Sequence, residues 1–286
     1  MALTNFIPQV WSARLLENLS KNHVFANLAS RDYQGDILRA GDRVKINSIG
    51  RVTIGTYTKN TDIGAPETLS DAQTTLIIDQ SKYFNFQIDD IDAAQQNPKI
   101  MDGAMWEAAY GLSEAADQYL AGLYTQGQIN SGSDANPVVY AAAGDAYEQL
   151  VELATKLDEA NVPKRGRWVV VPAWFHAMLL LDPRFLTPQG AVLRNGEVGS
   201  AAGFAIFVSN NVATGTSTHT TNTGITYKLM AGYPGSIAFA EQVREVECYR
   251  PEKRFADAVK GLHLYGAKVV RPQSLGVVVA LRPSIV

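Results

Sequence analysis

A chain of 286 residues with 46% hydrophobic side chains has enough apolar material for one large core or two smaller ones. Its 19% of charged residues is low for a soluble protein and points to a surface partly covered by partners, and its net charge of −3 excludes a strongly basic nucleic-acid clamp. The single cysteine, Cys248, excludes a disulfide framework within the chain, and the most apolar stretch, 168–181, is too short for the ~18 residues of a membrane span.

The opening residues, 1–10, lack a basic region followed by a long apolar run, so no signal peptide is expected and the chain reads as soluble and intracellular at synthesis. Trp11, Leu15 and Leu19 then recur at helical spacing with Leu16 beside them, opposite Arg14, Glu17 and Asn18. This predicts a short amphipathic arm over residues 1–30. Such a helix is marginal alone, so the arm must dock, either on its own domain or on a neighbour.

Turn signals at Gly35-Asp36 and Ala40-Gly41-Asp42 precede alternation at Val44, Ile46, Val52 and Ile54. A polar stretch from Thr56 to Thr75 has only Ile63 and Leu69 as large aliphatics, and alternation returns at Leu76, Ile78, Phe84, Phe86 and Ile88. Residues 44–88 therefore read as two strands joined by a long polar connection. An isolated hairpin of this kind has little core and is best ordered by lying on another subunit, the alternative being a flexible surface loop.

Asn97-Pro98 opens a long helix expected to reach about Thr125, with Asp89, Asp90 and Asp92 ahead of its positive end. Its stripe is Ile100, Ala104, Ala108, Leu112, Ala116, Leu120 and Leu123, flanked by Met105, Ala115 and Tyr119. Gly103, Gly111 and Gly122 predict close packing of this helix on a sheet. Residues 126–137 read as a loop. A second helix, 145–160, starts with Asp145 and Glu148 in capping-box spacing and turns Leu150, Leu153 and Leu157 inward.

Trp168-Val169-Val170-Val171 reads as a buried strand, ended by Pro172, with a short helix on to Leu181. Strands are predicted at 204–208, 227–230, 237–240, 243–249, 255–270 and 277–281. Residues 213–224 read as a loop or hairpin tip, and 250–253 as a turn.

No phosphate-binding glycine loop and no G-x-S-x-G elbow occurs, and the cluster Gly196 to Gly203 has the wrong spacing. His23, His176, His219 and His263 are scattered without a second ligand at metal spacing, and His176 reads as a core histidine. Asp89, Asp90 and Asp92 lack the glycine and terminal Glu of a calcium loop. Cys248 has no His near it in sequence, and Lys164, Arg165 and Arg167 read as a solvated basic turn. No catalytic, cofactor or metal residue is named.

The order of these elements resembles the Hong Kong 97-type capsid fold of tailed bacteriophages. The opening Phe6-Ile7-Pro8-Gln9-Val10-Trp11-Ser12-Ala13-Arg14 is similar to the N-terminal arm of phage coat proteins. Gly41-Asp42-Arg43-Val44-Lys45-Ile46 is similar to the strand entering that family's extended loop, and Phe86-Gln87-Ile88-Asp89-Asp90-Ile91-Asp92 to the exit into its spine helix. The segment from Trp168 to Pro172 resembles the central strand of the axial domain, and the strands from Val243 onward resemble the peripheral sheet.

The resemblance implies an α+β fold: an N-terminal arm (1–30), an extended β-hairpin loop (31–92), a peripheral domain with the spine helix (93–143 and 241–286) and a central α/β axial domain (144–240). It implies a major capsid protein that self-assembles into an icosahedral shell around double-stranded DNA, without enzymatic activity or cofactor. Expected partners are copies of itself as pentamers and hexamers, a separate scaffolding protein, a portal and a decoration protein, with weak non-specific contact to DNA and none to membrane. Expected localisation is the virion, after assembly in the host cytoplasm. The subunit-contact candidates are Trp11, Leu15, Leu19, Tyr57, Lys59, Ile63 and Leu69. Some family members crosslink a loop lysine to an asparagine. Lys59 lies in the right region, but no partner is identifiable and no crosslink is expected. The rival readings are an encapsulin-like nanocompartment shell and a soluble α/β enzyme.

Overall fold

The computed structural model describes residues 23–32, 43–49, 54, 56–60, 62, 71–89, 99–142, 144–184, 199–253 and 255–283. In chain order the elements are α1 (Phe25–Leu28), β1 (Arg43–Ile49), β2 (Asp71–Ile77), β3 (Gln80–Asp89), α2 (Lys99–Gly122), β4 (Ile129–Ser131), α3 (Gly144–Glu159), β5 (Trp168–Val171) and α4 (Ala173–Leu181). They continue with β6 (Ser200–Ala201), β7 (Phe204–Val208), β8 (Thr214–Thr216), β9 (Ile225–Gly232), β10 (Ile237–Tyr249), β11 (Ala256–Val269) and β12 (Gly276–Leu281). Helices and strands mix as an α+β fold expects.

Every residue of β5 is buried. Successive side chains on a strand point to opposite faces. Val169 and Val171 therefore enter one core, with Leu150, Leu153 and Leu157 of α3 and Phe175, Met178 and Leu179 of α4. Trp168 and Val170 enter a second core, with Ala116 and Leu120 of α2 and with Phe239 and Tyr265. A run of four apolar residues suits only a strand covered on both sides.

β5 sits inside a seven-stranded sheet of order β4-β12-β9-β5-β7-β6, with β8 paired to β9. The pairs β5–β7 and β12–β4 are parallel and the others antiparallel. β4 and β12 come from the 93–143 and 241–286 segments, so this sheet draws on chain from outside residues 144–240. β4 and β8 also correct the sequence reading of 126–137 and 213–224 as loop. Each is only three residues long and takes its order from a neighbouring strand, so neither has a pattern of its own to read.

A second sheet, β10-β11-β3, is antiparallel throughout. β10 is a single strand where the sequence suggested two. A bulge between Val243 and Glu245 reverses its alternation. Phe239 and Glu241 face α2 before the bulge, and Val246 and Cys248 face it afterwards, beside Val259 of β11. An extra residue in one strand has this effect, because side chains repeat with period two.

Three sequence expectations need correction. The described residues of 44–88 form three strands: β1 pairs with β2, and β3 leaves after Asp79 to join β11. Gly103, Gly111 and Gly122 do not mark close packing, since a side chain added at each would meet open space. The stripe of α2 that packs on the sheet runs instead through Met105, Ala109, Leu112, Ala116 and Leu120. Arg167 is not part of a solvated turn. It is 4% exposed, donates to the carbonyls of Pro163 and Val162, and pairs with Asp158 at 2.8 Å. Asp145 does lie at the start of α3, where its carboxylate accepts from the N–H groups of Ala141 and Ala142 just ahead of the helix.

Candidate functional site

Two features stand apart from the double core: the β1–β2 hairpin and the segment that enters the fold at His23. The hairpin is held by its base. Ile46, Leu76 and Ile78 are buried against Ala238, Ala240 and Leu264, on the face of β10–β11 away from α2. Gly266 makes this seat possible, because any Cβ there would run into the carbonyl of Ile77. β1 and β2 pair in continuous register from Arg43↔Ile77 out to Ile49↔Asp71.

Past that register the described residues lose contact with their own chain. Ile54 is 95% exposed and Tyr57 69%, Lys59 is exposed, and Asn60 adopts a left-handed turn conformation with φ 66°. Of the contact residues named from sequence, Tyr57 and Lys59 are thus presented to solvent. Trp11, Leu15, Leu19, Ile63 and Leu69 lie outside the described residues.

The second feature is a buried charge cluster where the chain enters the fold. His23 Nδ1 lies 3.5 Å from Asp117 Oδ1 and 3.1 Å from Ser113 Oγ, both on α2. His23 Nε2 lies 3.3 Å from Glu241 Oε2 on β10, and His263 Nε2 of β11 is 3.3 Å from the same oxygen. Arg31 Nη1 reaches Glu241 Oε1 at 2.9 Å. Asp117 also accepts from the N–H groups of Val24 and Ala26, at 2.8 and 3.3 Å. Ser30 then continues the attachment through backbone bonds to Ile237 and Phe239.

Burial pulls the His23 imidazolium down, but the carboxylates of Asp117 and Glu241 outweigh it and its pKa is pushed up to about 9. Burial favours the neutral form of Glu241. Bonding to His23 and His263, together with the charges of His23 and Arg31, wins and holds its carboxyl well below the usual range. The cluster is therefore a charged staple that ties α1 to α2 and to the three-stranded sheet.

Ser113, His23 and Asp117 are the residue types of a hydrolytic triad without its arrangement. Serine and aspartate crowd the same nitrogen, Nδ1, and a protonated imidazole cannot take the serine proton. Cys248 is half-buried, and burial, then the charge of Asp257, raises its thiol. Among the described residues no group of three His, Cys, Asp or Glu side chains is placed to hold a metal ion, and no helix is long and apolar enough to cross a membrane.

Sequence reasoning missed the His23–Asp117–Glu241–His263 staple. Its only local signal was polar residues inside apolar patterns, such as Asp117 between Ala116 and Leu120 and His263 between Leu262 and Leu264. It also missed an exposed aromatic pair on α2: Trp106 and Tyr110 stack with centroids 5.8 Å apart, 48% and 45% exposed.

Comparison with known proteins agrees with this architecture. Residues 73–279 match a family model described as phage capsid protein. A solved structure from Mycobacterium phage Che8 matches with TM-score 0.73 at 29% identity, over 90% of each chain. The capsid of Cyanophage P-SCSP1u matches with TM-score 0.70 at 16% identity, over 91% of this chain and 89% of that one. A virus-like particle from Pyrococcus furiosus shares the fold with TM-score 0.58 at 14% identity, over 96% and 100%. Comparison with curated proteins returns no match.

Proposed function

The chain belongs to the phage capsid protein family, and from that premise we propose that it is the major capsid protein of a tailed bacteriophage, a structural subunit whose copies close into an icosahedral shell. The observation that carries this reading is the hairpin. Its base is buried against β10 and β11, while Ile54, Tyr57 and Lys59 beyond it are exposed. A polar segment whose described residues are exposed beyond a buried root is suited to lie on the next copy, and closed rotational symmetry makes such heterologous contacts complete a shell. Each contact can be weak where many act together.

In this reading the contacts to neighbouring copies, grouped as pentamers and hexamers, include Tyr57, Lys59, Ile63 and Leu69 of the loop and Trp11, Leu15 and Leu19 of the arm. The arm (1–30), loop (31–92), peripheral segments (93–143 and 241–286) and axial segment (144–240) are functional divisions of one chain, although β4 and β12 bind the last two into one sheet. A scaffold, a portal and a decoration protein complete the particle. The interior meets DNA only weakly, as the net charge of −3 favours. The chain has no catalytic role, and the shell assembles in the host cytoplasm before it becomes the virion.

Negative-stain microscopy and size-exclusion chromatography of the expressed protein test this. Closed particles of megadalton size are expected, and a stable monomer or dimer under all conditions would overturn it. The likeness to the Pyrococcus furiosus virus-like particle keeps a nanocompartment shell as the second reading. Particles that carry a protein cargo from the native host in place of DNA would favour it.

A further inference from the structure

The side of α2 that receives the incoming chain is longer than the part that chain covers. Ser113, Asp117 and Ala121 form one stripe of the helix, spaced four apart, and all three are buried where α1 and His23 lie on them. One turn toward the N-terminus the same stripe continues as Tyr110, and one further turn as Trp106. Both rings are stacked on each other and about half exposed. Ser113 and Asp117 in the covered half are polar and matched, and the half that the described residues leave exposed is aromatic.

The direction of the chain decides what comes next. The N–H groups of Val24 and Ala26 bond to Asp117, while His23 already reaches Ser113, one turn closer to Tyr110. Going backward from His23 therefore leads toward Tyr110 and Trp106. Twenty-two residues precede His23, and they carry the amphipathic face of Leu19, Leu15 and Trp11. A helical arm rising ~1.5 Å per residue would put Leu19 and Leu15 about 6 and 12 Å back from His23, and Tyr110 and Trp106 lie about 4.5 and 10.5 Å back from Ser113. The two spacings match turn for turn. Charge agrees as well: the arm carries Arg14 and Lys21 against one Glu17, and Glu107 and Glu114 border the stripe on α2.

We propose that residues 12–22 of the arm seat on the Trp106–Tyr110 face of the spine helix of their own chain, with Leu19 and Leu15 over the stacked rings. Trp11 then falls at the N-terminal end of α2, where it is presented to a neighbouring copy. This divides the arm's apolar residues between an intramolecular seat and an outward contact. The seat belongs to one copy, so it stands or falls independently of whether particles form.

The test uses the full chain with Cys248→Ser as background. Leu15→Cys, Leu16→Cys and Leu19→Cys are each combined with Tyr110→Cys and oxidised mildly, and the products are mapped by mass spectrometry. A disulfide within one chain in at least one pair is expected. Disulfides joining two chains would show that another copy's arm occupies the face, and no disulfide would show that the arm lies elsewhere. Either result overturns the proposal. Hydrogen exchange of the unmodified protein supplies an independent reading. Amides at 12–22 should be protected, and in a Trp106→Ala/Tyr110→Ala variant they should exchange about tenfold faster while the core amides of β5 stay unchanged. Unchanged arm exchange would also sink it.

Discussion

At the residue scale, the staple at Glu241 makes the strongest predictions, because Arg31 and the protonated His23 converge on one buried carboxylate that His263 also contacts. Glu241→Gln leaves Arg31 without its counter-charge and His23 with Asp117 alone, and removing one partner of a buried ion pair costs about 3–5 kcal/mol. A drop in melting temperature, with earlier proteolysis at residues 23–32, checks this. The pH dependence follows from two opposite shifts. His23 is raised from 6.5 to about 9, so its contribution is complete below pH 6.5 and is lost as pH climbs through 9. Glu241 is depressed, so its contribution is complete above its ordinary value of 4.5 and is lost on acidification below that. Attachment of α1 should therefore be firmest between about pH 4.5 and 6.5 and should loosen toward pH 9. Amide exchange at 24–30 across a pH series, corrected for intrinsic rates, reads it.

Glycine has two opposite meanings in this chain. Gly266→Ala would push a Cβ into the carbonyl of Ile77, and overpacking against backbone costs about 1–3 kcal/mol. Gly111→Ala on α2 meets nothing, and alanine is the better helix former by about 1 kcal/mol. The first variant should melt lower than the parent and the second higher, measured on dissociated subunits. The sequence reading treated the helical glycines as packing marks. Composition alone cannot tell which face of a helix a glycine occupies.

At the element scale, α2 is the hinge of the architecture. Its Met105, Ala109 and Leu112 pack on the three-stranded sheet, and its Ala116 and Leu120 enter the core shared with β5. Leu120→Ala, wholly inside that core, should cost about 2–5 kcal/mol by chemical denaturation. The hairpin should behave in the opposite way. Replacing residues 50–70 with a short turn leaves the register Ile49↔Asp71 and the buried base intact. The melting temperature of the subunit should change little while particle formation is abolished. A shortened variant that still forms closed shells would contradict the role assigned to the loop.

At the scale of the whole molecule, the two sheets and three longer helices form a body whose two cores lie on opposite faces of β5. In the proposed shell, rigidity there would let weak contacts at the periphery add up, since a shell closes only if each subunit presents its contact surfaces at fixed angles. The chain has few charges for its size, and the described surface carries Ile54, Tyr57, Tyr83, Trp106, Tyr110 and Phe255 exposed. These agree with a surface completed by other copies.

The sequence by itself determined the elements whose signal is local. β5 was legible because four apolar residues bounded by Pro172 admit little else, and α2 and α3 because their stripes repeat at helical spacing. The order of arm, loop, helix and strands was enough to carry the family resemblance. Only the tertiary structure decided what depends on residues distant in the chain meeting in space. It split residues 44–88 into a hairpin and a separate sheet strand, added β4 and β8 to a sheet through borrowed pairing, and flipped β10 at its bulge. It also gathered His23, Asp117, Glu241 and His263 from three separate parts of the chain. Periodicity reports the face a residue occupies within its own element. The partner across that face is set by chain topology, which no local pattern contains.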